Sequence, residues 1–319
     1  MDNISKFKQK FDPYLKNYLE QKLNYFTNYT KDTAILDYLN YIKIIILSGG
    51  KRIRPYLAFL MYQALGGKEK EKALKLLVFL EIFHSFCLVH DDIMDKASLR
   101  HGVKTANAYI TGKLKEDKRI GDLLHVGDSQ AILFGDLLSS WGQEIVNLNT
   151  DFDSQILREI KILSYEMGDE VSVGQMIDVD IVTRKKVSKE LIDEKTYLKT
   201  AGYSFVKPLL IGAALSGKST GKINNFCKNF GKALGFAFQI QDDLLDITSS
   251  EKKLGKTTSL DKSQNQHTYF TYFPSLEYGK KIISENFKQA KNLIKNLSIN
   301  ENTKEKFLDL VNLIQKRTF

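Results

Sequence analysis

A chain of 319 residues, 43% hydrophobic and with four prolines, is long enough for one large core or two ordinary ones, and length alone does not choose. Its two cysteines, Cys87 and Cys227, lie in apolar stretches without a CxxC partner, which argues against a disulfide framework or a zinc site and fits a reducing cytoplasmic setting. The net charge of +9 asks for an anionic partner, and nucleic acid, anionic lipid and phosphorylated small molecules all qualify. Nucleic acid is set aside because the lysines are scattered over nearly every predicted helix, with no zinc finger, RNP-like aromatic motif or compact basic arm.

Apolar residues recur at three- and four-residue spacing along the whole chain, and no alternating β-branched stretch is bounded by turn signals. The prediction is an all-α protein in a single domain, 1–319. In chain order the predicted helices span 15–28, 32–47, 54–65, 70–94, 103–111, 127–147, 153–181, 188–216, 220–247, 275–296 and 301–316. The first eleven residues lack the apolar stretch of a secretory signal. Apolar runs such as 44–47 and 76–80 are too short to span a bilayer, so no transmembrane segment is expected. Segments 73–89 and 231–247 are apolar nearly all round and read as central helices. Thr111 to Gly127 reads as an exposed, charged connection, and Ser249 to Thr268 as a polar loop of about twenty residues, a length that points to function. No repeat period is visible, which excludes a solenoid.

One acidic pattern, DDxxD, occurs twice: Asp91, Asp92 and Asp95 in LVHDDIMD, and Asp242, Asp243 and Asp246 in FQIQDDLLD, each at the end of a predicted apolar helix. The outer aspartates of a triad are four residues apart, so on a helix they share a face about 6 Å apart along the axis. Burying such carboxylates without cations is very costly, and bringing two triads together adds repulsion. The pattern therefore predicts a metal, and oxygen-only ligands with room for water and phosphate favour Mg²⁺ over a caged Ca²⁺.

GGKRIRP places Lys51, Arg52 and Arg54 at the start of an apolar helix, where free N–H groups already favour anions, and so reads as a diphosphate clamp. Arg100 adds a cation five residues after Asp95, and His84 is a candidate donor to the same anion. GAALSGKS at 212–219 formally matches a P-loop, but a P-loop follows a strand and VKPLLIGAAL has a helical pattern, so nucleotide hydrolysis is set aside.

In order along the chain, GGKRIRP, DDIMD followed by an arginine, GQMID at 174–178, KTAGYSF at 199–205 and FQIQDDLLD resemble the trans-isoprenyl diphosphate synthase family over about residues 45–270. The resemblance implies an antiparallel helical barrel around a deep central cavity, a homodimer, and the two acidic triads facing each other. It implies that Asp91, Asp95 and Asp242 hold three Mg²⁺ ions against an allylic diphosphate, supported by Asp92, Asp243, Asp246 and Asp261. Arg100, Lys199 and Lys256 would contact that diphosphate, Lys51, Arg54 and His84 would hold isopentenyl diphosphate, and Thr200, Tyr203 and Gln239 would flank the reacting carbons.

The implied chemistry is ionisation of the allylic diphosphate, attack by the isopentenyl double bond and loss of a proton, with the 249–268 loop as a water-excluding lid. Two departures from the family pattern stand out. Arg100 is followed by His101, where a second arginine is usual, so one contact to isopentenyl diphosphate becomes titratable. Asn265 is followed by Gln266, where a lysine is usual. Phe86 lies about 7.5 Å below Asp91 along the helix axis, and Phe83 deeper, where a growing chain would run. With Cys87 as the small residue beside it, this pattern resembles geranylgeranyl diphosphate synthases. Farnesyl diphosphate is the alternative product, and a non-catalytic subunit of a heteromeric synthase is the alternative of another class.

Overall fold

Asp2 opens the first helix: its Oδ1 accepts the Ser5 N–H at 2.8 Å, and α1 runs Asn3–Phe26 through Pro13. The sequence predicted a start at 15. A proline in a helix interior costs about 3 kcal/mol because it lacks an N–H and crowds the preceding turn. Burial of Ile4, Phe7, Phe11, Leu15 and Leu19 on one face offsets that cost. The computed structural model describes residues 2–254 and 267–316, with backbone alone at 249–254.

The chain divides into two compact units, Met1–Tyr56 with Glu69–Asp153, and Leu57–Lys68 with Ser154–Phe319, so the boundary falls inside helix α3 (Ile53–Ala64). In the first unit α1 is followed by α2 (Thr33–Ser48), capped by Asp32, then by α4 (Lys70–Met94), α5 (Ala106–Glu116) and α6 (Leu123–Asn147). α4 is the core helix expected from 73–89, and it packs along α6. By length and composition it could cross a membrane, which the short apolar runs did not suggest. However, 67% of its most apolar 18-residue window is buried, and it ends in the first acidic triad.

Between α4 and α5 lies an element the sequence did not predict, a hairpin of β1 (Leu99–Arg100) and β2 (Val103–Lys104). His101 (φ 51°) and Gly102 (φ 82°) form its turn, and positive φ at both positions is what a type I′ connection requires. The expected helix at 103–111 therefore begins at Ala106, and the expected connection at 111–127 shrinks to 117–122.

The second unit contains α7 (Ser154–Ile181), α8 (Lys189–Thr196), a π-helical stretch (Tyr197–Val206), α9 (Lys207–Leu215), α10 (Gly221–Leu254), α11 (Leu276–Lys295) and α12 (Glu301–Gln315). The single helix predicted over 188–216 is thus interrupted by wider turns, a feature frequent at functional sites. Two glycines hold this stretch close: a Cβ at Gly174 would lie 2.4 Å from the Lys199 nitrogen, and one at Gly235 would lie 2.5 Å from the Ala201 Cα. Below it, the buried Lys207 pairs with Glu166 (2.6 Å) and Glu170 (3.0 Å). α10 continues to Leu254, so the second DDxxD sits inside a helix and not at its end, as the sequence had predicted. The all-α class is as expected.

Candidate active site

The first triad occupies the last turn of α4. Asp91 is half-buried, Asp92 is 2% exposed, and Asp95, the C-cap, is exposed. A helix C-terminus carries about half a negative charge, so three carboxylates there compound an unfavourable field. The hairpin supplies the answer by folding Arg100 back: its Nε and Nη2 donate to Asp92 Oδ1 at 2.8 and 2.6 Å, and Nη2 lies 3.5 Å from Asp91 Oδ2. Burial still leaves the Asp92 carboxyl above its ordinary pKa, with Arg100 opposing that rise.

Beside it, a small pocket, partly open to solvent, is lined among others by Gly49, Gly50, Arg52, His84, Arg100 and His101. Lys51 is exposed and Arg54 half-buried, and neither lines the pocket. Burial pushes His84 well below its usual pKa, and Arg54, His101, Arg100 and Arg52 add to the effect, so it enters the site as a neutral imidazole. The His101 ring packs against Gly49, where a Cβ would lie 2.4 Å from its Cγ. Desolvation, then Arg100 and Arg52, hold His101 below its usual pKa; Lys8 adds to the shift and Glu81 opposes it.

On α4, Phe86 meets Phe83 edge-on at 5.5 Å between centroids and His90 at 5.0 Å, with Phe83 buried and Phe86 and Cys87 half-buried. Two of the three residues expected to gauge product length, Phe83 and Phe86, are therefore in contact.

In the second unit, three of the expected residues form one hydrogen-bonded line. The Thr200 hydroxyl donates to Gln239 Oε1 at 2.9 Å, and Gln239 Nε2 donates to Asp243 Oδ1 at 2.8 Å. The Tyr269 N–H donates to the other Asp243 oxygen at 3.3 Å. Burial nonetheless leaves Asp243 above its ordinary pKa. Asp242 is half-buried, Asp246 exposed and Tyr203 buried.

Lys199 donates to Asp178 Oδ2, and Lys195 lies 3.0 Å from Asp178 Oδ1. Burial would raise the Asp178 pKa, but the two ammonium groups outweigh it and hold the carboxyl below its ordinary value. The sequence reading gave Asp178 no role, although two lysines four residues apart on one helical face were a signal that an acid faces them. Lys256, Asp261, Asn265, Gln266 and most of the expected lid lie outside the described residues.

The helices define a fold class, the all-α fold of solved isoprenyl diphosphate synthases. The fold matches a geranylgeranyl pyrophosphate synthase from Corynebacterium glutamicum, solved in complex with isoprenyl diphosphate and magnesium, with a TM-score of 0.83 over 97% of this chain and 99% of that one, at 22% identity. Residues 37–311 match the polyprenyl synthetase family, and the chain belongs to it. It is 32% identical over 232 residues to a geranylgeranyl diphosphate synthase of Methanosarcina mazei, an alignment covering 71% of this chain and 64% of that protein, just under two thirds of its length. It is 29% identical over 272 residues to a farnesyl diphosphate synthase of Bacillus subtilis, covering 83% and 84% of the two chains.

Asp178→Asn removes a carboxylate whose folded pKa is depressed, so the stability it confers is present above about pH 4 and is lost as pH falls through the lowered value. The variant is expected to melt below wild type at pH 7, with the difference shrinking below pH 4. A difference independent of pH in thermal denaturation would contradict the pairing.

Proposed function

We propose that this protein is a Mg²⁺-dependent short-chain prenyltransferase that joins isopentenyl diphosphate to an allylic diphosphate, giving geranylgeranyl diphosphate, and that it works as a cytoplasmic homodimer. Family membership supports this reading, and one observation carries it. In each DDxxD the middle aspartate is held by the protein, Asp92 by Arg100 and Asp243 by Gln239 and the Tyr269 N–H, and the outer carboxylates beside it reach solvent, Asp91 and Asp242 being half-buried and Asp95 and Asp246 exposed.

Among the described residues no three His, Cys, Asp or Glu side chains converge into a ready-made cage. That suits Mg²⁺, which keeps several waters and takes one or two carboxylates together with substrate phosphate oxygens. Asp91, Asp95 and Asp242 would hold three such ions, with Asp92, Asp243 and Asp246 in support. When bound, the metal would stabilise negative charge on the departing diphosphate.

The rest of the task falls to the chain. Arg100 and Lys199 add fixed positive charge for the leaving diphosphate. Lys51, Arg54, His84 and His101 hold isopentenyl diphosphate with its double bond towards the allylic carbon. Thr200 and Gln239 set oxygen dipoles beside the developing cation, and their mutual hydrogen bond fixes which end of the amide faces which partner. The Phe83–Phe86 pair lies below the first triad and shields the hydrocarbon from water.

Ile162, Tyr165, Val173 and Met176 form an exposed apolar stripe on one face of α7, which supports a second copy as partner.

A purified dimer incubated with labelled isopentenyl diphosphate, Mg²⁺ and dimethylallyl, geranyl or farnesyl diphosphate is expected to yield a twenty-carbon alcohol after dephosphorylation. The yield should vanish with EDTA or in Asp91→Ala. No elongation from any primer by folded dimer would instead identify a non-catalytic subunit, and a fifteen-carbon product would correct the length.

Phe86→Ala opens the wall below the first triad and is expected to lengthen the product by one or more isoprene units. An unchanged product distribution would remove Phe86 from that role.

Because the His101 pKa is depressed, its positive charge is expected to arrive only below about pH 6.5. His101→Arg should lower the KM for isopentenyl diphosphate several-fold at pH 7.5 and progressively less towards pH 5.5. A wild-type to variant ratio constant across that range would count against a charge role for His101.

A further inference from the structure

Helix α1 lies outside residues 37–311, the stretch matching the family, yet it reaches the loop that carries the basic clamp. Arg52, the middle cation of GGKRIRP, is 3% exposed, and each of its three guanidinium nitrogens donates a hydrogen bond. Nε donates to Asp12 Oδ1 on α1 at 2.8 Å, Nη1 to Glu81 Oε1 on α4 at 2.7 Å, and Nη2 to the Ile46 carbonyl on α2 at 3.1 Å. A second tie from α1 is Lys8, whose Nζ donates to the Gly50 carbonyl at 3.0 Å.

The loop needs such restraint. Gly50 has φ 82° and Arg52 has φ 56°, a left-handed conformation that a residue with a Cβ adopts only when its surroundings impose it. The glycine is required as well, since a Cβ there would lie 2.9 Å from Arg52 Nη1. Burial works against the Arg52 charge, and Glu81 and Asp12 more than compensate, so the guanidinium stays charged and internally satisfied. Arg52 is therefore turned into the protein, while Lys51 on one side is exposed and Arg54 on the other is half-buried.

We infer that Asp12, acting through Arg52, and Lys8, acting through Gly50, are positioning residues for the diphosphate clamp, so that α1 sets the affinity for isopentenyl diphosphate without touching it. This rests on the proposed function, in which Lys51, Arg54, His84 and His101 hold that substrate. The buried ion triad fixes the backbone between the two clamp cations, and α1 provides the part of that fixation that can be altered without emptying the core. Asp12 is suited to a test because its side chain is 28% exposed, against 1% for Arg52 and 5% for Glu81.

The experiment uses the full chain and compares wild type with Asp12→Asn, Lys8→Met and Asp12→Glu. Calorimetric titration with isopentenyl diphosphate is run alongside steady-state kinetics in both substrates. Asp12→Asn and Lys8→Met are expected to weaken isopentenyl diphosphate binding and raise its KM by about fivefold or more, as loss of a charge-assisted hydrogen bond would. The kcat and the allylic KM should stay within about twofold, and Asp12→Glu should recover part of the loss. Unchanged isopentenyl diphosphate affinity in both variants would overturn the inference. So would kcat and both KM values deteriorating together, or absence of binding to wild type. If wild type binds isopentenyl diphosphate but elongates no primer, the proposed function fails, while the calorimetric comparison still decides whether α1 positions the clamp.

Discussion

Asp92 sits 2% exposed in the last turn of α4 with Arg100 laid against it, and the β1–β2 hairpin delivers that guanidinium. A carboxylate at the negative end of a helix, with Asp91 and Asp95 beside it, is opposed by burial, by the helix dipole and by its neighbours at once. The two-residue turn at His101 and Gly102 reverses the chain so that Arg100 returns to α4. The same turn lays the His101 ring on Gly49, so the pocket lined by Arg52 and His84 and the acidic triad share Arg100 as a wall.

The second unit solves the same problem with neutral donors. Asp243 receives the Gln239 amide and the Tyr269 N–H, and Gln239 is in turn fixed by the Thr200 hydroxyl. Lys199 and Lys195 share Asp178, and the π-helical turns that carry Lys199 and Thr200 are pressed between Gly174 and Gly235. On the proposed function, an arriving diphosphate exchanges one set of ion partners for another instead of meeting bare charge, which keeps the resting protein stable while leaving the cations usable.

Much of this was legible in the sequence because the helical period is strong where one face is buried. The boundaries of α4 agree with the predicted 70–94, and both DDxxD segments announced themselves by charge set against apolar surroundings. The failures have identifiable physical causes. Pro13 hid the first half of α1, whose evidence is tertiary burial of Phe7 and Phe11. The hairpin consists of two-residue strands, too short for any alternation to show. The π-helical stretch has the same apolar spacing as an ordinary helix, and its distinguishing contacts come from glycines on α7 and α10, far away in sequence. Arg52 read as one more cation of the GGKRIRP clamp because its partners, Asp12 and Glu81, lie forty and twenty-nine residues away.

On the proposed function, the two acidic triads bind Mg²⁺ together with a diphosphate. The most direct measurement is thermal denaturation of the full chain with Mg²⁺ alone, with inorganic diphosphate alone and with both. The account expects the melting temperature to rise with the pair by clearly more than the sum of the separate shifts, because each ligand completes the other's site. A joint shift no larger than that sum would contradict it.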